Sequence, residues 1–256
     1  MAKAKRKPPA RDRAPAEVPA PATLGELAVR LLARAAEVGA SGLIHVAASE
    51  RRAERLAAIL RALAPDLEVL FLPAWDCLPY DRASPARDIM GRRMAVLRRL
   101  GEAGRRILLA APDALLQRVP PREVCAAAAV SLEVGAAFDA DAFRADLERR
   151  GYVADERVDE PGEVAVLGQV VDVFPAAAPW PCRIEHGEGR IAAIRRYDPV
   201  TQLTSEELDT LVGVDELELG HAEVRLVARP PGRERYRRHV RSVPGDDVTQ
   251  GGPQAR

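Results

Sequence analysis

Leu67-Glu68-Val69-Leu70-Phe71-Leu72-Pro73-Ala74-Trp75-Asp76-Cys77-Leu78-Pro79-Tyr80-Asp81 joins a short apolar run to a loop that resists helix formation. A near-continuous apolar run at 67–72, stopped by Pro73, reads as a strand covered on both faces. Two prolines and two aromatics within residues 72–81 stiffen the loop. At the carboxyl end of a parallel strand, such a loop sits where α/β domains bind ligands. Alternatively, it is a packed Ω-like connection in which Trp75 and Tyr80 plug the domain.

The flanking sequence continues the same grammar. Thr23 opens a helix with Glu26 as its capping-box partner, and Gly39 stops it. A second apolar run, 43–48, precedes a helix behind Ser49 with Leu56, Ile59, Leu60 and Leu63 on one face. Ser84-Pro85 reads as the cap and first residue of a helix reaching about Leu100. A third strand at 105–110 and a short helix at 113–117 follow. The expected architecture is an α/β domain with a parallel sheet, to about residue 125.

From about 128 the pattern changes to a strand near 130–134 and a helix from Asp139 closed by Gly151. Short alternating strands follow at 169–174, 182–185 and 190–196. His186-Gly187-Glu188-Gly189 reads as a hairpin turn. Glu206 and Glu207 read as the first turn of a helix behind Thr204 or Ser205. His45 is expected in the core and His186 in solvent.

Composition narrows the chemistry. The 256 residues are 47% apolar and 30% charged, as in a globular protein. No stretch approaches the twenty apolar residues of a membrane span, and no apolar segment follows the basic N-terminus as in a secretory signal. Cys77, Cys125 and Cys182 form no metal-binding or disulfide pattern. All of this suits a cytoplasmic protein. Lys3, Lys5 and Lys7 are the only lysines, so a Walker A phosphate loop is excluded over the rest of the chain. So is a lysine Schiff base. No nucleophile motif or supported carboxylate pair appears, and the expectation is a protein that is not an enzyme and takes no cofactor or metal.

Formal net charge is zero, but it is unevenly laid out. Residues 151–220 carry 15 acidic and 5 basic side chains, against 17 acidic and 19 basic in residues 23–150. Such polarity favours a binding role. The expected organisation is a disordered basic arm at 1–22, the α/β domain at 23–127, a second domain at 128–218, and a poorly ordered basic tail at 219–256.

The string from Leu72 through Ser84-Pro85 and Asp88-Ile89 to Arg93 resembles the signature LPxWExLPYDxxSPxxDIxxxRxxxL of the UvrB-like module at the N-terminus of bacterial transcription-repair coupling factors. Asp76 stands in place of its glutamate. Ala114-Leu115-Leu116-Gln117-Arg118-Val119-Pro120 is similar to a further family segment. So are Gly151-Tyr152, Glu160-Pro161-Gly162-Glu163, Gly168, Val171-Asp172-Val173-Phe174-Pro175 and Arg183-Ile184-Glu185. The likeness runs in order from about residue 24 to 216.

This resemblance implies a P-loop-NTPase-like parallel sheet that has lost its P-loop, in agreement with the missing lysine. It also implies a smaller α+β domain, similar to domain 2 of UvrB, that recruits the excision-repair protein UvrA. The family's RNA-polymerase-binding and motor domains would come after the last residue here. Arg183 and Glu185 match polar positions that bind UvrA, and Phe174 is a candidate apolar anchor on the same sheet. Leu167 replaces a UvrA-facing arginine, Val164 replaces an aromatic, and Val153 stands where relatives tend to carry arginine. Leucine and valine cannot make the bidentate contact of a guanidinium. A different reading is direct DNA binding by an arginine face on the helix at 86–100, with Arg92, Arg93 and Arg99 as contacts. Arg87 and Arg98 share that face, and Arg233, Arg235, Arg237, Arg238 and Arg241 form a second basic cluster. A decayed fragment without activity is the remaining reading.

Overall fold

The computed structural model describes residues 23–77, 84–127, 129–215 and 217. Leu78 to Ala83, with the Tyr80 of the signature, therefore lie outside the described residues, as do the arm at 1–22 and the C-terminal arginine cluster.

The chain begins with α1 (Leu24–Val38), whose Thr23 hydroxyl accepts from the Glu26 N–H at 3.1 Å. Gly39, at φ 59°, stops it in a backbone region that glycine adopts without strain. β1 (Leu43–Val46), α2 (Glu50–Leu63), β2 (Glu68–Leu72), α3 (Arg87–Gly101) and β3 (Arg106–Ala110) follow. The three strands form a parallel sheet in the order β1-β3-β2. Side chains alternate across it, so β3 serves two interiors. Ile107 and Leu109 pack with Ala53, Leu56 and Leu60 of α2, while Leu108 and Ala110 pack with Val96 of α3. The helices lie on opposite faces, as right-handed crossovers in both directions require.

The coverage expected of all three strands is incomplete. α3 lies over β2 and β3, and Ile44 and Val46 of the edge strand β1 are 64% and 50% exposed. His45, expected in the core, is half-buried. Leu63, at the last turn of α2, is exposed. The start of α3 also differs: its N-cap is Ala86, with no capping side chain, and Ser84-Pro85 precede the helix. The entry is fixed instead by Asp76, whose carboxylate accepts from the Ala86 N–H at 3.0 Å.

After α4 (Pro112–Leu116) and α5 (Arg122–Ala127), a second layer begins with β4 (Ala129–Glu133) and α6 (Ala140–Arg149), the latter capped by Asp139. β5 (Val153–Ala154), β6 (Glu163–Leu167), β7 (Val170–Val173), β8 (Cys182–Gly187), β9 (Arg190–Tyr197) and β10 (Thr204–Leu208) form a six-stranded sheet. It is antiparallel except where β5 meets β6. β11 (Thr210–Asp215) returns to pair with β4 in a separate ribbon. Glu206 and Glu207 are thus strand residues, not the helical turn expected; opposite Arg196 and Arg195 they form cross-strand charge pairs that a helix would not offer. The hairpin turn is confined to Glu188 and Gly189, both at positive φ, which matches the right-handed twist of the paired strands. His186 stays in β8, half-buried against Phe138.

α3 reaches both interiors. Met90 belongs to the second one, with Phe143, Leu147, Val171, Ile184 and Ile194. Arg87 donates to the Pro161 carbonyl at 3.0 Å and pairs with Glu160 and Glu163 at 3.2 and 3.1 Å. One turn on, Gly91 meets the chain at Ala176 so closely that an added Cβ would fall 2.4 Å from the Ala176 Cβ and 2.7 Å from its carbonyl carbon. The Ala176 N–H is held from the other side by the Tyr152 hydroxyl at 3.2 Å.

Two effects oppose each other at Gly91. Helix propensity favours alanine by about 1 kcal/mol, whereas overpacking against backbone costs about 1–3 kcal/mol. The contact is to backbone, so the clash wins. Gly91→Ala is expected to lower the urea midpoint, and an unchanged or raised midpoint would show that the seam yields.

Candidate partner-binding face

The six-stranded sheet buries one face on α6 and the β4–β11 ribbon; the other carries a row of side chains set by register. Ala165 opposes Asp172, Asp172 opposes Arg183, Arg183 opposes Arg195, and Arg195 opposes Glu207. Two arginines thus lie side by side across β8 and β9, an arrangement that repels unless each has a counter-charge. Asp172 supplies one: its two oxygens accept from Arg183 Nε and Nη2, both at 2.8 Å. Glu185 and Glu207 supply the other, pairing with Arg195.

The Asp172–Arg183 pair is bidentate and nearly enclosed. Asp172 is buried, and the Arg183 guanidinium lies 4.9 Å from the centroid of the Tyr197 ring. Hydrogen bonding to Asp172 raises the Arg183 pKa further above its usual range, against the opposing effect of burial. Tyr197 is itself buried, and its hydroxyl donates to the Val158 carbonyl at 3.0 Å. Burial, seconded by Asp172, raises its pKa well above that of a free phenol. On the opposite face, burial pushes the Cys182 thiol up to about 11, with Arg196 pulling the other way, so it is protonated and inert near neutrality.

Two residues along, the same face carries a second row: Leu167, Val170, Glu185 and Ala193. Leu167 is 53% exposed and Glu185 is partly exposed. Arg183, Glu185 and Leu167, singled out from sequence, therefore share one surface. Phe174 does not serve as its anchor: it is only 6% exposed and packs with Val158 and Ala165. Val164 is fully buried, so the loss of an aromatic there changes an interior position rather than the surface.

The arginine face expected on α3 is not a free cationic surface. Arg93, placed outward by the sequence reading, is 0% exposed; it donates to the Pro73 carbonyl at 2.6 Å and lies 5.5 Å from the Trp75 ring centroid. A guanidinium buried at the foot of the signature loop holds that loop to the helix. Arg92 pairs with Asp88, and Arg99 with Glu68 at 2.6 Å and with Glu102. Arg98 pairs with Glu102 and Arg87 with Glu160 and Glu163. Three residues central to the sheet face, Asp172, Arg195 and Tyr197, escape a sequence reading. The one available signal was Asp172 itself, a lone carboxylate between valines in a predicted strand.

Residues 130–213 match the UvrB interaction domain, which spans this sheet and its helix. The chain is 33% identical to the transcription-repair-coupling factor of Haemophilus influenzae, 32% to that of Escherichia coli and 32% to that of Mycobacterium bovis. The aligned segments take in 66%, 73% and 80% of this chain. This chain is a relative of the transcription-repair-coupling factors. It spans only 15%, 17% and 18% of the length of those three relatives. The aligned segments, 168, 192 and 220 residues long, are too long to lie within residues 130–213, so the likeness extends beyond the UvrB interaction domain. No helix among the described residues is long and apolar enough to cross a membrane.

A paired buried charge is costly to strand. Removing one partner leaves the other uncompensated, about 3–5 kcal/mol for a fully buried pair and less here because Arg183 is a quarter exposed. Asp172→Ala is expected to cost about 2–3 kcal/mol in urea unfolding, and Asp172→Leu combined with Arg183→Met to recover most of it. Equal losses for the single and double variants would show that the pair is not the source.

Proposed function

We propose that the chain is a non-catalytic interaction module of nucleotide-excision repair that docks UvrA on the face of the six-stranded sheet that carries Arg183, Glu185 and Leu167. The observation that carries this reading is the state of Arg183. Asp172 occupies its Nε and Nη2, and Nη1 makes no further hydrogen bond among the described residues. A donor held in one orientation before the partner arrives loses little side-chain entropy on binding. Glu185 and the exposed Leu167 complete a surface with a charge of each sign beside an apolar contact, the mixture common in protein interfaces.

In this reading residues 128–218 are the docking domain and 23–127 a nucleotide-binding-like α/β domain that has lost its phosphate loop. The parallel sheet with helices on both faces supports that ancestry, and the absence of lysine beyond Lys7 agrees with it. The module takes no nucleotide and works in the cytoplasm. Leu167 lies two strands from Glu185 on the same face, so losing an arginine there trims the interface at its edge without removing its centre.

Calorimetric titration of the full chain with UvrA from the same organism tests this. A micromolar or tighter Kd is expected, weakened about 5- to 150-fold by Arg183→Ala if that side chain is a hot spot. Glu185→Ala, which leaves Asp172 paired, is expected to weaken binding less. Leu167→Arg is expected to strengthen it by restoring an edge contact. No heat from folded protein at high concentration would overturn the assignment, and tight binding indifferent to all three substitutions would move the interface elsewhere.

A further inference from the structure

Among the described residues, the side chains of Arg51, Arg52, Arg55, Arg105, Arg118 and Arg144 make no hydrogen bond or ion pair. Three of these six stand on one helix, α2. Arg51 and Arg55 are four residues apart, Arg52 and Arg55 three, so on the helix surface each is the other's neighbour. All three are exposed. The carboxylates nearby do not neutralise them. Glu50 accepts from the Ala74 N–H at 3.2 Å, and the exposed Glu54 makes no ion pair among the described residues.

This arrangement works against the helix twice. Like charges at these spacings destabilise it, and all three lie in its N-terminal half, where the backbone dipole disfavours cations. The contrast with α1 and α3 is direct: Arg30 pairs with Glu26, Arg34 with Glu37, Arg92 with Asp88 and Arg98 with Glu102. Places where local rules are broken without compensation in the fold are expected to be functional or strained sites, and no strain marks α2. The uncompensated field is felt nearby, since Arg52, after burial, lowers the pKa of His45. One helical turn, about 5.4 Å, separates Arg51 from Arg55. A single small anion cannot neutralise all three guanidiniums, whereas a run of phosphates can.

We infer that the exposed face of α2, through Arg51, Arg52 and Arg55, binds the phosphate backbone of duplex DNA. The contact is to backbone rather than to bases, because no aromatic side chain stands among these arginines to stack on a base. It is independent of the proposed UvrA surface, which lies on another sheet.

The test is fluorescence anisotropy of a labelled duplex of about 20 base pairs, titrated with the full chain over a range of salt concentrations. The N-terminal arm and C-terminal tail are present in every protein compared, so differences report on α2. Arg51→Gln, Arg52→Gln and Arg55→Gln together are expected to weaken binding at least tenfold at low salt. They should also reduce the slope of log K against log salt by about 2–3, close to one per phosphate released. The triple lysine variant keeps the charge and should retain most of the affinity. The glutamine variant should melt at the same temperature or higher, since it relieves repulsion. Identical affinity and salt slope for wild type and glutamine variant would overturn the inference, as would a lower melting temperature. Equal displacement of the duplex by polyglutamate of matched charge would reassign the face to an acidic protein.

Discussion

The structure depends on α3 lying between two interiors. Val96 belongs to the core of the parallel sheet, Met90 to that of the second layer, and Gly91 admits the backbone at Ala176 where any side chain would hold it off. Arg87 closes the same seam with two carboxylates and a carbonyl. Burial of the apolar residues supplies the attraction, but the missing Cβ at Gly91 sets how near the layers come. Without that approach Met90 would leave its pocket. The signature loop is tied to the same helix, with Arg93 on the Pro73 carbonyl and Asp76 on the N–H that starts α3. A stretch that looks like a ligand loop in sequence is, in its described part, the fastening of a helix.

Among the described residues, arginine does different work on α3, on the six-stranded sheet and on α2. On α3 it is structural, each side chain committed to a carboxylate or carbonyl. On the six-stranded sheet Arg183 and Arg195 lie adjacent, and their repulsion is cancelled by Asp172, Glu185 and Glu207. On α2, Arg51, Arg52 and Arg55 make no ion pair among the described residues. Burial and pairing, rather than residue type, separate a cation that holds the fold from one that is free to act, and a count of charges along the chain cannot see the distinction.

That is also why the sequence could be read unevenly. α1, α2, β2 and β3 were legible because capping residues and apolar periodicity are local signals, and Thr23, Ser49 and Gly39 mark the ends of their helices. The start of α3 differs from the sequence expectation because Ser84-Pro85 carries the usual cap chemistry while a distant carboxylate, Asp76, governs the entry. Glu206 and Glu207 looked like a helical first turn until register brought Arg195 and Arg196 opposite them. Periodicity puts Arg93 on the outer face because it reports a face without reporting what lies across it. For the candidate site, the resemblance picks out Arg183, Glu185 and Leu167, and the structure brings them onto one face. Phe174 failed as an anchor because its burial depends on Val158, a residue sixteen positions away. The pairing of Asp172 with Arg183 follows from strand register, which depends on the whole sheet.

The edge position of β1 has a dynamic consequence. β3 is bonded on both sides and buried along its whole length, while β1, among the described residues, is bonded to β3 alone and leaves Ile44 and Val46 exposed. Opening β1 therefore exposes little new apolar surface, and its amides should exchange with solvent before those of β3. α2 follows β1 after only three residues. The helix bearing the uncompensated arginines is thus tethered to the strand that loosens first, which gives its cationic face latitude to settle against a surface whose shape is not fixed in advance.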